Sequence, residues 1–423
     1  MNIKRPIYVG IDFCNDFSQV SYYNFTDNEP VSVDYSGLES KYNIPTVVSK
    51  TIGKDEWFSG DEARKSATLG EAVLIDNLVN IALERNPVIV DDTSVMPVEL
   101  ISIFLDEMLQ SVKIAAGVEH IEKVCITMEY FHISLLNILA EAMNKLGYPK
   151  DKVIFTSHTE SFVYYSLCQK SELWQNDVAL FEYGKGGLKY QLMNIAVFRG
   201  KKIVMTHSED FTEEMPYSLI QNKASVEYMD KRLTEIASRM FDKKNISTVY
   251  LTGKAFSEDF NSPDFIKFIC NRRRVFSGQN LYVKGACYQA YESGEGSHIR
   301  DFILACPERI TTGIELKIQD RGRDKILRMV LPGVNWYGAD CSYDLIVDDT
   351  DELEIFLSPV DTVEKQVVRV SLTDFPERPK KTTKITLKLS FTSDSRCHLM
   401  VIDKGFGDFF ASSGRIINEE ILL

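Results

Sequence analysis

Ile7-Tyr-Val-Gly-Ile-Asp-Phe13 and Asp177-Val-Ala-Leu-Phe-Glu182 are the two stretches on which the fold turns. Each is a short apolar run, and each carries an acid at or near its end. Runs of this length and composition suit strands buried on both faces, with the acid delivered to the strand terminus. A polar turn follows each one: Cys14-Asn-Asp-Phe17 in the first case, Tyr183-Gly-Lys-Gly-Gly187 in the second. Asp12 and Glu182 therefore occupy matching places, and the elements around them repeat.

After the first run, residues 19–25 read as a strand. Pro97 to about Ala116 reads as a long helix, because proline suits the first helical position and Ile101, Leu105, Met108 and Val112 form one apolar stripe. Gly117 stops it. A strand at 123–128, a helix at about 134–146 and a strand at 152–155 complete the set. After the second run come strands at 189–198 and 203–207, a helix at about 223–241, a strand at 248–252 and helices near 264–270 and 284–293. Gly294-Glu-Gly-Ser297 is a hinge signal. Beyond it the texture changes to short alternating runs at 310–318, 344–347, 353–357, 367–372, 384–391 and 397–402. These read as an all-β sandwich.

The chain has 423 residues, a net charge of −13, 44% apolar and 26% charged residues. These values exclude a disordered or collagen-like chain and suggest roughly two to three domains. The acidic balance argues against nucleic acid as a partner. The eight cysteines show no CxxC spacing, so they are expected to be buried free thiols of a reducing cytosol. No signal peptide is expected at the N-terminus and no membrane helix anywhere. The expected location is the cytoplasm, without a membrane partner.

The ordered segments resemble the seventy-kilodalton heat-shock chaperones of the DnaK type. Val9-Gly-Ile-Asp12 resembles that family's first phosphate turn, and Phe181-Glu-Tyr-Gly-Lys-Gly186 its second. Val249-Tyr-Leu-Thr-Gly253 is similar to its adenosine-side turn, and Gly285-Ala-Cys-Tyr-Gln-Ala290 to its last helix. Ile44-Pro-Thr-Val-Val48, Gly60-Asp-Glu-Ala63 and Glu129-Tyr-Phe131 fall at further family segments. Asp301-Phe-Ile-Leu304 resembles the interdomain linker, and Thr312-Gly-Ile-Glu315 the first strand of the substrate-binding domain. The resemblance implies an actin-like domain of two ribonuclease-H-like halves over 1–296, a linker over 297–307 and a β-sandwich over 308–423. It also implies a chaperone-like protein that holds another protein or an extended peptide.

The nucleotide chemistry of that family is eroded here. Wrapping phosphates needs glycine and hydroxyl turns that let backbone N–H groups approach. Cys14, Asn15 and Asp16 stand in the first turn, and Asp16 would place a carboxylate beside a phosphate. In the second turn Gly184, Gly186 and Gly187 remain, but Lys185 replaces the middle glycine and Gly187 replaces a threonine. In the adenosine turn Lys254 follows Gly253. Ser157 stands where the family has an acid. The family's lysine after Gly60-Asp61 has no counterpart in Leu74-Ile-Asp-Asn-Leu78. Glu182 and Thr252 lie only 70 residues apart, too few for the family's adenine-clamping subdomain. Loss of ATP hydrolysis, and of ordinary ATP and magnesium binding, is the expectation, with no cofactor. Asp12, Asp16 and Glu182 are expected to pair with Lys185 and Lys254 across the old cleft; the alternative leaves those lysines solvated. The rival is a weak ATPase that uses Lys185 and Lys254 as phosphate clamps.

In the β region Val334, Trp336 and Tyr337 are the candidate peptide contacts, the alternative being that they pack in its core. No helical lid is expected after Leu423, so peptide affinity would be modest. Arg272-Arg-Arg274 reads as a solvated or dipole-matched helix end. Ser157-His158 has catalytic residue types but lacks the flanking glycines of a nucleophile turn. The six histidines show no metal spacing.

Overall fold

The two acid-ended runs are strands, Ile7–Asp12 and Asp177–Gly184, and each stands third in a sheet of repeated order. The computed structural model describes residues 6–35, 42–222, 225–256, 260–294, 297–348 and 350–423. In the first sheet Ile7–Asp12 pairs in parallel with Ile121–Met128, which pairs in parallel with Val153–Ser157. On its other side it pairs antiparallel with Phe17–Asn24, which leads to Glu29–Ser32. In the second sheet Asp177–Gly184 pairs in parallel with Ile246–Thr252, and that strand with Arg274–Ser277. On its other side it pairs antiparallel with Gly187–Phe198, beyond which lies Lys201–Asp210. The protein is thus a strand-rich mixed α/β chain with an internal repeat of strand order.

Helix bounds follow local chemistry. The helix Pro97–Ala116 begins at its proline and ends at Gly117, which is left-handed at φ +64°. Val118 N donates to Lys113 O there, closing the helix end. The expected stripe of Ile101, Leu105, Met108 and Val112 is fully buried. The helix Leu281–Glu292 is buried on nearly every side, as expected of a helix enclosed by other elements. It packs on the first sheet and on the helix His158–Leu167. Both approaches need glycine. A Cβ at Gly10 would strike Val283 O and Cys287 N, and a Cβ at Gly285 would strike Ser161 O.

The chain divides into two units. One comprises residues up to Asn194 with Thr206–Arg300; the other comprises Ile195–Met205 with Asp301–Leu423. Within the second unit Phe302–Ala305, in the stretch read as linker, forms a strand beside Lys202–Met205. Glu295 and Gly296 of the expected hinge lie outside the described residues. Two four-stranded antiparallel sheets follow. One has the order Arg323–Val330, Thr312–Asp320, Glu352–Pro359, Gln366–Ser371. The other has the order Cys341–Val347, Thr383–Ser393, Arg396–Gly405, Ile416–Leu422. Along Thr383–Ser393 the residues Ile385, Leu387, Leu389 and Phe391 are buried, the period of two that fixes register. They share one core with Ile314, Leu316, Ile355, Leu357 and Val370 of the other sheet.

The thiols differ from expectation. Cys125, Cys287, Cys306 and Cys397 are buried, Cys14, Cys168 and Cys341 are half-buried, and Cys270 is exposed. Arg273 lies over the Phe241 ring at 4.6 Å and donates to Phe268 O at 3.2 Å, so it covers a helix end rather than reaching into solvent. No described helix is long and apolar enough to cross a membrane.

Candidate functional site

Asp12, Thr127 and Thr156 lie in register across three adjacent parallel strands, at their carboxyl ends. Such ends are where open α/β sheets place ligands. Two residues beyond Thr156 the chain turns into the helix His158–Leu167, capped by Ser157, whose Oγ accepts from Glu160 N. That turn brings His158 Nε2 to 2.8 Å from Asp12 Oδ1. The Cys14 thiol donates to the same Asp12 oxygen at 3.2 Å and lies 3.7 Å from the same ring nitrogen. His158 Nδ1 has no partner among the described residues.

The His158 ring stacks on Tyr282 with centroids 3.9 Å apart and planes 9° from parallel. Tyr282 sits in the first turn of the helix Leu281–Glu292, and its hydroxyl donates to Glu182 Oε2 at 2.7 Å. The two acids of the repeated strand ends are therefore joined by a chain: Asp12, His158, Tyr282, Glu182. Near it, Lys189 donates to Glu129 Oε1 at 2.6 Å. The charge distribution explains the titration of these groups. Burial, followed by the Asp12 carboxylate, pushes the Cys14 thiol well up. Burial and then Glu182 push the Tyr282 hydroxyl well up. Burial pulls His158 down most, but the carboxylates of Asp12, Glu182 and Glu129 together outweigh it and hold the imidazole above its ordinary value. Burial likewise pulls Lys189 down while Glu129 raises it, leaving it raised overall.

The expected pairing of acids with Lys185 and Lys254 is corrected in most of its parts. Asp16 does pair with Lys185, at 2.8 Å, but both side chains are about half exposed or more. Such a pair stabilises little. Asp12 takes His158 and Glu182 takes Tyr282 instead. Lys254 is exposed at the start of a short 3-10 turn after Gly253, whose φ is +96°. Asn15 serves a helix: its Nδ2 donates to Asn77 Oδ1 at 2.9 Å and its Oδ1 accepts from Val79 N, at the start of Leu78–Glu84. In the second turn Gly184 opposes Gly187 across Lys185-Gly186. Thr212 covers that turn, donating from Oγ1 to Gly186 O at 2.6 Å, and a Cβ at Gly187 would strike it at 2.7 Å.

The sequence names His158, Glu129, Cys14 and Lys189 without a binding role, and Tyr282 is not singled out at all. His158 is 146 residues from Asp12, and no local spacing signals their contact. The repeat was the available signal, since a matched strand–turn–strand order places the turn after the third parallel strand beside the end of the first.

The peptide candidates lie in the second unit. Val334 and Trp336 are half-buried against its core. Trp336 and Tyr337 meet edge to face at 6.1 Å, and Asn335 Nδ2 donates to Tyr337 Oη. Ile310 N donates to Val334 O, and Trp336 N to Glu308 O. These residues stitch the entry of the first strand to the loop after Arg323–Val330.

Fold and site together define a mixed α/β protein with a buried carboxylate–imidazole pair and a half-buried thiol at the carboxyl edge of a repeated sheet. Residues 29–307 match the family described as "Family of unknown function (DUF5716) C-terminal", and this match spans more than half of the sequence. The chain belongs to that family. Residues 309–423 match "Domain of unknown function (DUF8552)". No curated protein matches the chain.

Proposed function

We propose that the protein is a non-catalytic scaffold or peptide-binding module derived from the DnaK-type chaperone plan, with an actin-like first domain whose ATPase site is degenerate. The repeated strand order, with an antiparallel second strand and parallel first, fourth and fifth, supports a duplicated ribonuclease-H-like arrangement. Two antiparallel sheets with one shared core support a β-sandwich like a chaperone substrate-binding domain.

One observation carries the loss of nucleotide function. The His158–Tyr282 stack joins the two acids that would have to face a hydrated magnesium ion and its phosphates. Placing magnesium and ATP there would break both hydrogen bonds and bring phosphate toward Asp16 and Glu129. The residues present do not fit magnesium–ATP. The experiment is thermal unfolding with ATP, ADP and magnesium, since any ligand of the folded state raises apparent stability by mass action. An unchanged midpoint is expected.

The second reading, a weak ATPase, draws on the exposure of Lys185 and Lys254, either of which could reach a phosphate. Phosphate release by the purified chain that disappears in Asp12→Ala would favour it. The partner in the favoured reading is another protein or an extended peptide, met in the cytoplasm.

A further inference from the structure

We propose that Asp12, Cys14 and His158 bind one divalent transition ion of the zinc type. The inference rests on the geometry of these three side chains and is independent of the scaffold reading.

Oxygen, sulfur and nitrogen donors converge here: Asp12 Oδ1, Cys14 Sγ and His158 Nε2 all lie within 4.8 Å of one another. This donor set suits a borderline ion such as zinc or cobalt and disfavours magnesium, which takes oxygen ligands. Bond lengths of about 2.0–2.3 Å to a tetrahedral ion put ligand atoms about 3.3–3.7 Å apart. The sulfur–nitrogen separation is 3.7 Å and the sulfur–oxygen separation 3.2 Å, close to those edges. The nitrogen–oxygen separation of 2.8 Å is shorter, as expected of a pair bridged by a proton. Exchange of that proton for an ion requires the pair to open by about half an ångström.

The same geometry argues against nucleophilic catalysis by Cys14. A thiol–imidazole–carboxylate triad uses the two ring nitrogens separately, one toward the nucleophile and one toward the acid. Here a single nitrogen, Nε2, faces both, while Nδ1 faces no described partner. Three atoms aimed at one point describe a coordination site rather than a proton relay. The surroundings suit a cation, because Glu129 and Glu182 add their negative charge to that of Asp12 at both Cys14 and His158. The ring is held for ligation by its stack on Tyr282.

The binding step balances simply. Asp12 enters as the carboxylate, Cys14 gives up its thiol proton, and His158, starting from the doubly protonated ring, gives up the proton on Nε2 and keeps the one on Nδ1. Two protons leave as one dication enters, with no change of oxidation state. The fourth position is left to solvent.

The test is titration of the chelator-stripped 423-residue chain with Co2+, followed by Zn2+. The expected result is a thiolate-to-cobalt charge-transfer absorption that saturates at one equivalent and is displaced by Zn2+ but not by Mg2+. Cys14→Ser should abolish that absorption while leaving the far-ultraviolet dichroism unchanged. Cys270→Ser, which removes the exposed thiol, should leave it intact. His158→Gln should weaken uptake by more than the roughly 10–100-fold that loss of an outer partner costs. If His158→Gln fails to fold, Cys14→Ser still decides. Absence of a charge-transfer band in the wild-type chain, or its persistence in Cys14→Ser, would overturn the proposal.

Discussion

Two buried carboxylates, Asp403 in one unit and Asp12 in the other, hold basic partners on different principles. Arg378 and Asp403 in the second unit are 4% and 0% exposed and meet through two parallel bonds of 2.7 and 2.8 Å. Asp403 accepts further bonds from the backbone N–H groups of Gly405 and Ser413, and Arg378 also donates to Ala411 O. Asp12 and His158 share one contact, the acceptor oxygen is also claimed by a thiol, and one ring nitrogen goes without a described partner. A pair whose groups are tied on every side is a fixed joint. A pair with shared and spare positions can exchange a proton for something else. Burial is alike in the two cases; the satisfaction of the remaining lone pairs distinguishes architecture from site.

The largest expected effect falls on the fixed joint. Asp403→Asn should cost about 3–5 kcal/mol in urea unfolding of the full chain, because it leaves the Arg378 guanidinium buried and uncompensated. A loss under about 1 kcal/mol would remove the contrast between the two pairs. Acid should reveal the same joint. Its bonds with Arg378, foremost, hold the Asp403 carboxyl well below the usual carboxylate range. A depressed folded value means that the stabilisation is present above the unfolded value of about 3.9 and is lost progressively as pH falls below it. Unfolding curves at pH 7 and pH 3 should differ more for the wild type than for Asp403→Asn.

Next is the packing that holds the site. Gly285→Ala would drive a methyl group into Ser161 O, where helix backbones meet. A cost of about 1–3 kcal/mol is expected, and metal uptake should weaken with it if this packing positions His158. Tyr282→Phe keeps the stack and removes only the hydrogen bond to Glu182; about 1 kcal/mol should be lost. Lys185→Ala should change stability by less than about 1 kcal/mol, since its pair with Asp16 is exposed.

Much of the fold could be read from residues close together in the chain. Pro97 and Gly117 mark their helix to within a residue, and alternation from Lys384 to Phe391 marks its strand. The repeat alone puts Asp12 and Glu182 at equivalent places near the ends of matching strands. The partners of those acids were not legible in the same way. His158 arrives through a turn after the third parallel strand, and Tyr282 lies 100 residues beyond Glu182. Neither contact leaves a local period. The expected pairing with Lys185 and Lys254 relied on complementary charge alone, and charge has no direction. On its exposed turn Lys185 meets Asp16, while aromatic stacking and burial give the inner acids an imidazole and a phenol as partners.

Isothermal calorimetry of the full chain with magnesium and ATP tests the central claim most directly, namely that the inner acids are already engaged by His158 and Tyr282. No saturable heat is expected, with or without magnesium. Stoichiometric, magnesium-dependent binding of ATP that is lost in Asp12→Ala would contradict it.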